Sequence, residues 1–137
     1  MSLFEALAEA PERLSWASRF TILCGLLYMG NGLLLLIWPG AAQTLMQEAE
    51  FVGRESALVR LLGMTVIVIG WFYVFGGRSG GRQFVAATVL DRIVLVPLVL
   101  VPLIWMGVFP HMLALFAVLD PTLALVAWWL LSRDQRG

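Results

Sequence analysis

Four long apolar stretches take up more than half of this chain of 137 residues. Each contains about twenty residues, the length that an α-helix needs to cross a hydrocarbon layer of about 30 Å. Their approximate bounds are Phe20–Trp38, Ala57–Phe75, Phe84–Trp105 and Met112–Leu131. The pattern predicts an all-α polytopic membrane protein, built as an antiparallel bundle of four transmembrane helices. We expect a single membrane domain over residues 1–137, with the lipid bilayer as its main partner.

The composition excludes several classes of site. Hydrophobic residues make up 61% of the chain and charged residues 13%, whereas soluble domains are closer to one half and one quarter. One cysteine, Cys24, and one histidine, His111, are too few for a disulfide within the chain, a structural zinc site or paired histidine ligands of haem. We therefore expect no metal, and no cofactor held by this chain alone apart from a bound quinone or lipid. The arginines are scattered, so nothing supports nucleic-acid binding.

Arginine placement predicts the orientation of the bundle, because cytoplasmic loops of membrane proteins are enriched in basic residues. Six arginines lie before the first stretch, between the second and third, or after the fourth, and two lie toward the opposite side. The two sets are Arg13, Arg19, Arg78, Arg82, Arg133 and Arg136, against Arg54 and Arg60. We expect a multi-pass protein of a bacterial inner membrane with both termini in the cytoplasm. The residues before the first stretch are not predominantly basic, so we expect this stretch to be retained rather than cleaved as a signal peptide.

Aromatic and amphipathic residues mark the ends of the spans. All six tryptophans fall near predicted span ends, where indole rings settle at the headgroup level of a bilayer. An aromatic cofactor box is the alternative interpretation. Two short amphipathic helices are expected outside the spans. One is opened by the capping-box pattern Ser2-Leu3-Phe4-Glu5 and ended by Pro11, and the other covers Gly40–Glu48.

Polar side chains inside the spans predict a common layer in the bundle interior, because such groups are costly in contact with hydrocarbon. At 1.5 Å of rise per residue, all four stretches contribute polar groups at similar depths, roughly 12 to 18 Å from the cytoplasmic ends. The predicted layer consists of Tyr28, Asn31, Thr65, Asp91, Arg92 and Asp120. It has two open interpretations. It is either a structural polar cluster that fixes helix register, or the lining of a cavity that binds a headgroup or a proton.

Arg92 most needs a partner, since a guanidinium stays charged inside a membrane. We expect an ion pair between Arg92 and Asp120, with Asn31, Tyr28 and Thr65 as hydrogen-bond partners. Asp91 points about 100° away from Arg92, so only one of the two can face the same groove, and the sequence leaves open which. Arg60 lies near the outer end of its span and is expected to extend to the interface.

Small residues and prolines predict local features of three spans. Gly63 and Gly70 are seven residues apart, which favours close contact of that helix face with another helix. Pro97 and Pro102 interrupt the third span and Pro121 the fourth. Each proline removes a backbone hydrogen bond and frees a carbonyl, so we expect kinks beside the intramembrane charges.

Two segments resemble a known group of proteins. The first is Leu26-Leu27-Tyr28-Met29-Gly30-Asn31-Gly32 running to Trp38-Pro39-Gly40, and the second opens with Leu58-Val59-Arg60-Leu61-Leu62-Gly63 and closes at Gly76-Gly77-Arg78. This layout is similar to the small four-helix membrane proteins grouped as DoxX-like. The resemblance implies a membrane bundle that accompanies redox enzymes, with some relatives linked to quinone-coupled sulfur oxidation. It carries over no catalytic residue.

The sequence contains no catalytic signature, and we expect that the chain is not an enzyme. A Ser–His–Asp triad would need His111 at the outer interface to reach Asp120, more than two helical turns deeper. The sequence favours a non-catalytic subunit or scaffold of a membrane complex, assembled as a homo-oligomer or within a larger complex. The alternatives are a binder of a quinone or lipid in the polar layer and a small proton-coupled carrier that uses Asp91 or Asp120.

Overall fold

The computed structural model describes residues 2–9 and 11–136, which form helices joined by short connections and contain no β-strand. Two short helices lie outside the spans, α1 (Leu3–Ala8) and α3 (Pro39–Leu45). The first span is α2 (Trp16–Ile37) and the second is α4 (Glu55–Arg78). The third span runs continuously through α5 (Arg82–Leu90), a π-helical segment (Asp91–Leu95) and α6 (Val96–Trp105), and the fourth is α7 (Pro110–Arg136).

All four predicted spans are confirmed as helices long and apolar enough to cross a membrane. Each begins before its predicted apolar stretch, and each reaches or passes the predicted end except the first, which stops at Ile37, one residue early. Polar and aromatic residues at the headgroup level continue a helix past the hydrocarbon layer. The chain is therefore an all-α, multi-pass membrane bundle of four antiparallel helices, as the apolar pattern predicts.

Glycines bring α2 and α4 into the closest contact in the bundle. A Cβ added at Gly32 would lie 2.6 Å from the carbonyl oxygen of Gly63, and one added at Gly70 would lie 2.5 Å from that of Gly25. These crossed pairs show that the two helices are antiparallel. The close contact predicted for Gly63 and Gly70 is confirmed, and it depends on matching glycines of α2 that are also spaced by seven residues.

The other spans pack less tightly, which leaves one side of the bundle open. Helix α2 packs against α4 on one side and α7 on the other, and α7 packs against the third span. Helix α4 packs against α5 near the start of the third span, and its Tyr73 ring also faces Arg92 in the π-helical segment. Beyond this contact α4 and α6 diverge, and an apolar groove forms between them, with α7 at its base.

Two carboxylates from distant parts of the sequence cap the N-termini of spans. Asp134 Oδ2 accepts a 3.0 Å hydrogen bond from the Ala17 backbone N–H at the start of α2. Glu48 Oε1, in a side chain only 8% exposed, accepts a 2.7 Å bond from the Met112 N–H at the start of α7. Both satisfy amides that a helix leaves unpaired and that carry partial positive charge. The first contact also shows that the start of α2 and the end of α7 share one end of the bundle, called the terminal end below.

Both short helices predicted outside the spans are present, but each ends three residues earlier than expected: α1 ends at Ala8 and α3 at Leu45. Ser2 and Glu5 form the reciprocal hydrogen bonds of a capping box at α1. The start of α3 lies at Pro39, one residue earlier than the expected Gly40, because proline suits the first position of a helix. All six tryptophans are exposed on the bundle surface, as a belt at the headgroup level requires.

Candidate intramembrane binding site

The π-helical segment sets the direction of the charges on the third span. Here the Val96 N–H donates to the Asp91 carbonyl five residues back, instead of four. Pro97 follows directly and has no N–H to continue the regular ladder, so the irregular turn lies where a helical hydrogen bond is already missing. Within this turn Arg92 is 1% exposed, whereas Asp91 is exposed. Arg92 is thus the buried member of the pair, but both side chains line the cavity described below, so the expectation that only one of them could face the same groove is wrong.

Arg92 is only partly satisfied by its surroundings. Its Nε donates to the Thr88 carbonyl at 3.2 Å and its Nη2 lies 3.4 Å from Thr88 Oγ1, one helical turn earlier. The guanidinium carbon lies 5.2 Å from the centre of the Tyr73 ring, which allows a cation–π interaction. The remaining nitrogen, Nη1, is buried and has no hydrogen-bond partner. A buried, charged donor without an acceptor is costly, so Nη1 is the group that most needs an external partner.

Asp120 is paired with a tyrosine instead of with arginine. Its Oδ1 accepts a 2.7 Å hydrogen bond from the Tyr28 hydroxyl, and the Tyr28 side chain is 5% exposed. The predicted ion pair between Arg92 and Asp120 is wrong in this respect, because the guanidinium folds back along its own helix to Thr88. The two charges nevertheless line the same cavity.

This cavity, called the polar pocket, has a volume of about 70 Å³. Its polar lining comes from all four spans and consists of Tyr28, Tyr73, Asp91, Arg92 and Asp120. It adjoins the apolar groove between α4 and α6, which has a volume of about 250 Å³. Pocket and groove share Val66, Ile69, Val96, Phe116 and Asp120. The combined site is therefore polar at one end, apolar along the rest and open on the side that faces lipid.

Two residues of the predicted layer lie outside the polar pocket. Thr65 is exposed, and its hydroxyl donates to the Leu61 carbonyl of its own helix at 3.0 Å. It follows Gly63 by two residues, which places it about 200° around the helix from the glycine face. Asn31 is half-buried and does not line the pocket. Tyr28, Asp91, Arg92 and Asp120 are the predicted residues that the fold brings together.

Tyr73 and Thr88 contribute to the site although the sequence analysis did not select them. Tyr73 comes three residues after Gly70 and so lies on the glycine face of α4. The glycine spacing could have indicated that Tyr73 is buried, because the face of α4 that contacts α2 also points toward the bundle interior. Thr88 precedes Arg92 by four residues, the spacing at which two side chains of one helix meet.

Arg60 and His111 have contacts outside the site. Arg60 is exposed, and its Nη1 donates at 2.8 Å to the Leu36 carbonyl, one of the last carbonyls of α2 that lack a partner within the helix. Arg60 therefore lies exposed beside the end of α2, and its position at the membrane interface stays a prediction. His111 contacts the carbonyl of Gln47 through Nδ1 at the end of the bundle opposite to the terminal end.

Across residues 2–9 and 11–136, no three His, Cys, Asp or Glu side chains are grouped so that they could hold a metal ion.

Comparison with known proteins does not identify a family for this chain. No protein-family model, curated protein or solved structure matches the chain. The resemblance to DoxX-like proteins stays a prediction.

Proposed function

We propose that this integral membrane protein binds an amphiphilic molecule, a quinone or a lipid, with its polar end in the polar pocket and its apolar chain in the groove. The observation that carries the proposal is the buried Nη1 of Arg92, which has no partner and belongs to a pocket that adjoins an open apolar groove. A ligand oxygen would supply the acceptor that the neighbouring protein groups do not.

The charges of the polar pocket favour an uncharged headgroup. Arg92 contributes one positive charge, and Asp91 and Asp120 formally contribute two negative charges. An anionic headgroup would be repelled by the carboxylates, whereas a carbonyl or hydroxyl oxygen can accept from Arg92 without adding charge. The ring carbonyl of a quinone and the ester carbonyl of a lipid both have this chemistry.

The position of the groove favours entry from the bilayer. Its walls are aliphatic or aromatic side chains of α4, α6 and α7, and Asp120 is the one polar residue in its lining. Because α4 and α6 diverge, acyl chains of the membrane can reach this surface directly. A lipophilic ligand would then reach the polar pocket by sideways movement without passing through water.

We further propose an assembly, an alternative function and a location for the protein. A role as non-catalytic subunit or scaffold, in a homo-oligomer or a larger complex, is compatible with amphiphile binding. Proton-coupled transport through Asp91 or Asp120 is the other candidate. We also propose a bacterial inner-membrane location with the terminal end in the cytoplasm, which the arginine distribution supports.

Mass spectrometry of the gently extracted, full-length protein tests ligand binding. An organic extract of the wild type should contain about one lipophilic molecule per folded chain. Arg92→Leu removes the donor, and Val99→Trp fills the groove from a position that is 49% exposed. Both should lower the yield of this molecule at least tenfold, whereas the control Arg60→Gln, outside the site, should retain it.

Equal helix content and equal elution in size-exclusion chromatography would show that the variants are folded. An extract with no stoichiometric lipophile contradicts the proposal. So does a folded Arg92→Leu protein that carries as much of the molecule as the wild type.

A further inference from the structure

A second crevice lies at the terminal end, between the start of α2 and the end of α7. It has a volume of about 350 Å³ and is lined by Trp16, Leu130, Arg133 and Asp134. It shares no residue with the polar pocket or the apolar groove. Any role of this crevice is therefore independent of the proposed amphiphile site.

Two arginine–tryptophan pairs flank the crevice. The guanidinium carbon of Arg19 lies 5.1 Å from the centre of the Trp16 ring, and that of Arg133 lies 4.9 Å from the Trp129 ring. Stacking of a guanidinium on a ring holds the group in place and leaves the N–H donors at its edge available. Tryptophan at a span end marks the headgroup level, so the paired arginines are held at the depth of lipid phosphates.

The carboxylate of the crevice is already engaged. Asp134 Oδ2 accepts from the Ala17 N–H at the positive end of α2. Of the lining residues, Arg133 carries the positive charge whose N–H donors are available to a ligand, and Arg19 adds a second positive charge beside the lining residue Trp16. The polar pocket differs, because two carboxylates surround its single guanidinium, so we expect the two sites to prefer different ligands.

We propose that this crevice binds the headgroup of an anionic phospholipid. The guanidinium edges of Arg19 and Arg133 match phosphate oxygens in charge and geometry. Trp16 and Leu130 form an apolar wall against which the glycerol backbone and the first methylene groups pack. The occupant is a membrane lipid and not a soluble anion, because the crevice lies at the end of two spans, beside exposed tryptophans.

Native mass spectrometry of the full-length protein with phosphatidylglycerol and phosphatidylcholine of equal chain length tests this site. The wild type should retain one phosphatidylglycerol in preference to phosphatidylcholine. Arg19→Gln and Arg133→Gln should each weaken this retention about fivefold, the usual effect of one basic residue near an anionic membrane surface. Arg133→Lys should lie between wild type and Arg133→Gln, because it keeps the charge and loses the planar stacking.

Two controls separate this site from the rest of the molecule. Arg54→Gln removes an exposed arginine near the opposite end of the bundle and should leave retention unchanged. Arg60→Gln should also leave it unchanged, since Arg60 contacts the Leu36 carbonyl near the end of α2, away from the terminal end. Thermal unfolding of each variant checks that folding is intact.

Three results would overturn the proposal. The first is equal retention of the two lipids by the wild type. The second is a loss in Arg54→Gln as large as that in Arg133→Gln. The third is complete displacement of phosphatidylglycerol by millimolar inorganic phosphate, which would indicate a site for the free anion.

Discussion

The Tyr28 hydroxyl donates a 2.7 Å hydrogen bond to Asp120 Oδ1 and joins the first span to the fourth inside the membrane. The Tyr28 ring meets the Tyr73 ring edge-on, with 5.4 Å between centres, and Tyr73 in turn faces the Arg92 guanidinium. The two opposite charges are thus connected through two tyrosines and all four spans. This arrangement leaves Arg92 Nη1 without an acceptor and makes the pocket suitable for a ligand.

Tyr28→Phe should destabilise the bundle because Asp120 loses its hydrogen-bond donor. We expect the free energy of unfolding to fall by about 1.5–3 kcal/mol, the range for a hydrogen bond to a charged group. Tyr73→Phe is the matched control, since the described part of the protein contains no hydrogen bond from the Tyr73 hydroxyl. Thermal unfolding in one detergent compares the two, and equal losses would contradict the assigned role of Tyr28.

Gly70→Ala should separate α2 from α4, because the added methyl group would meet the Gly25 backbone, which cannot rotate away. We expect a loss of about 1–3 kcal/mol, as for overpacking of a well-packed core. At Gly30 an added Cβ has no neighbour within 4 Å, so Gly30→Ala should be neutral or stabilising. Unfolding measured side by side checks this, and a tolerated Gly70→Ala would contradict the close contact.

Glu48→Ala should destabilise the start of α7 by about 1–2 kcal/mol, since it removes the acceptor that caps Met112. Glu48→Gln keeps an acceptor oxygen and loses only the charge, so its effect should be smaller. Glu50 is exposed, and Glu50→Ala should have almost no effect. Hydrogen exchange of the first amides of α7 measures the loss locally. Unchanged protection in Glu48→Ala would show that the cap is unimportant.

Arg92→Leu should not lower stability by more than about 1 kcal/mol, because a buried charge with an unpaired donor is often replaced by an apolar residue without loss. The same variant should abolish amphiphile binding. Both the wild type and Arg92→Leu are delipidated before thermal unfolding, so that a bound lipophile does not contribute to the measured difference in stability. A large loss of stability would instead indicate that Arg92 mainly holds the bundle together.

The number, length and order of the spans could be predicted from the sequence, because hydrocarbon selects for continuous apolar helices. The glycine contact was predictable from spacing on α4 alone. The caps at Glu48 and Asp134 were not, since each donor lies 64 or 117 residues away along the chain. The Glu48 contact depends on how the loop after α3 folds back on α7, and the Asp134 contact depends on how the end of α7 packs against the start of α2.

The polar layer was predicted in part, and its errors have physical causes. Depth along a helix follows from residue number, but the rotation of a helix face does not. Thr65 lies at the depth predicted for the polar layer, but on a face of α4 that is exposed. Tyr73 lies on the glycine face, which points toward the bundle interior. Whether the Asp91 or the Arg92 side chain is buried depended on the π-helical turn at Asp91–Leu95. A π-helical turn contains about one extra residue, so it rotates the side chains that follow it around the helix axis, and it has no clear sequence signal.

The most direct test of amphiphile binding is a crystal structure of the gently extracted protein grown from a lipid phase. We predict ligand density with an oxygen about 3 Å from Arg92 Nη1, which is hydrogen-bond distance. This density should continue along the groove between α4 and α6. A structure in which Nη1 donates to a protein side chain, and α4 and α6 close over the groove, would contradict the account.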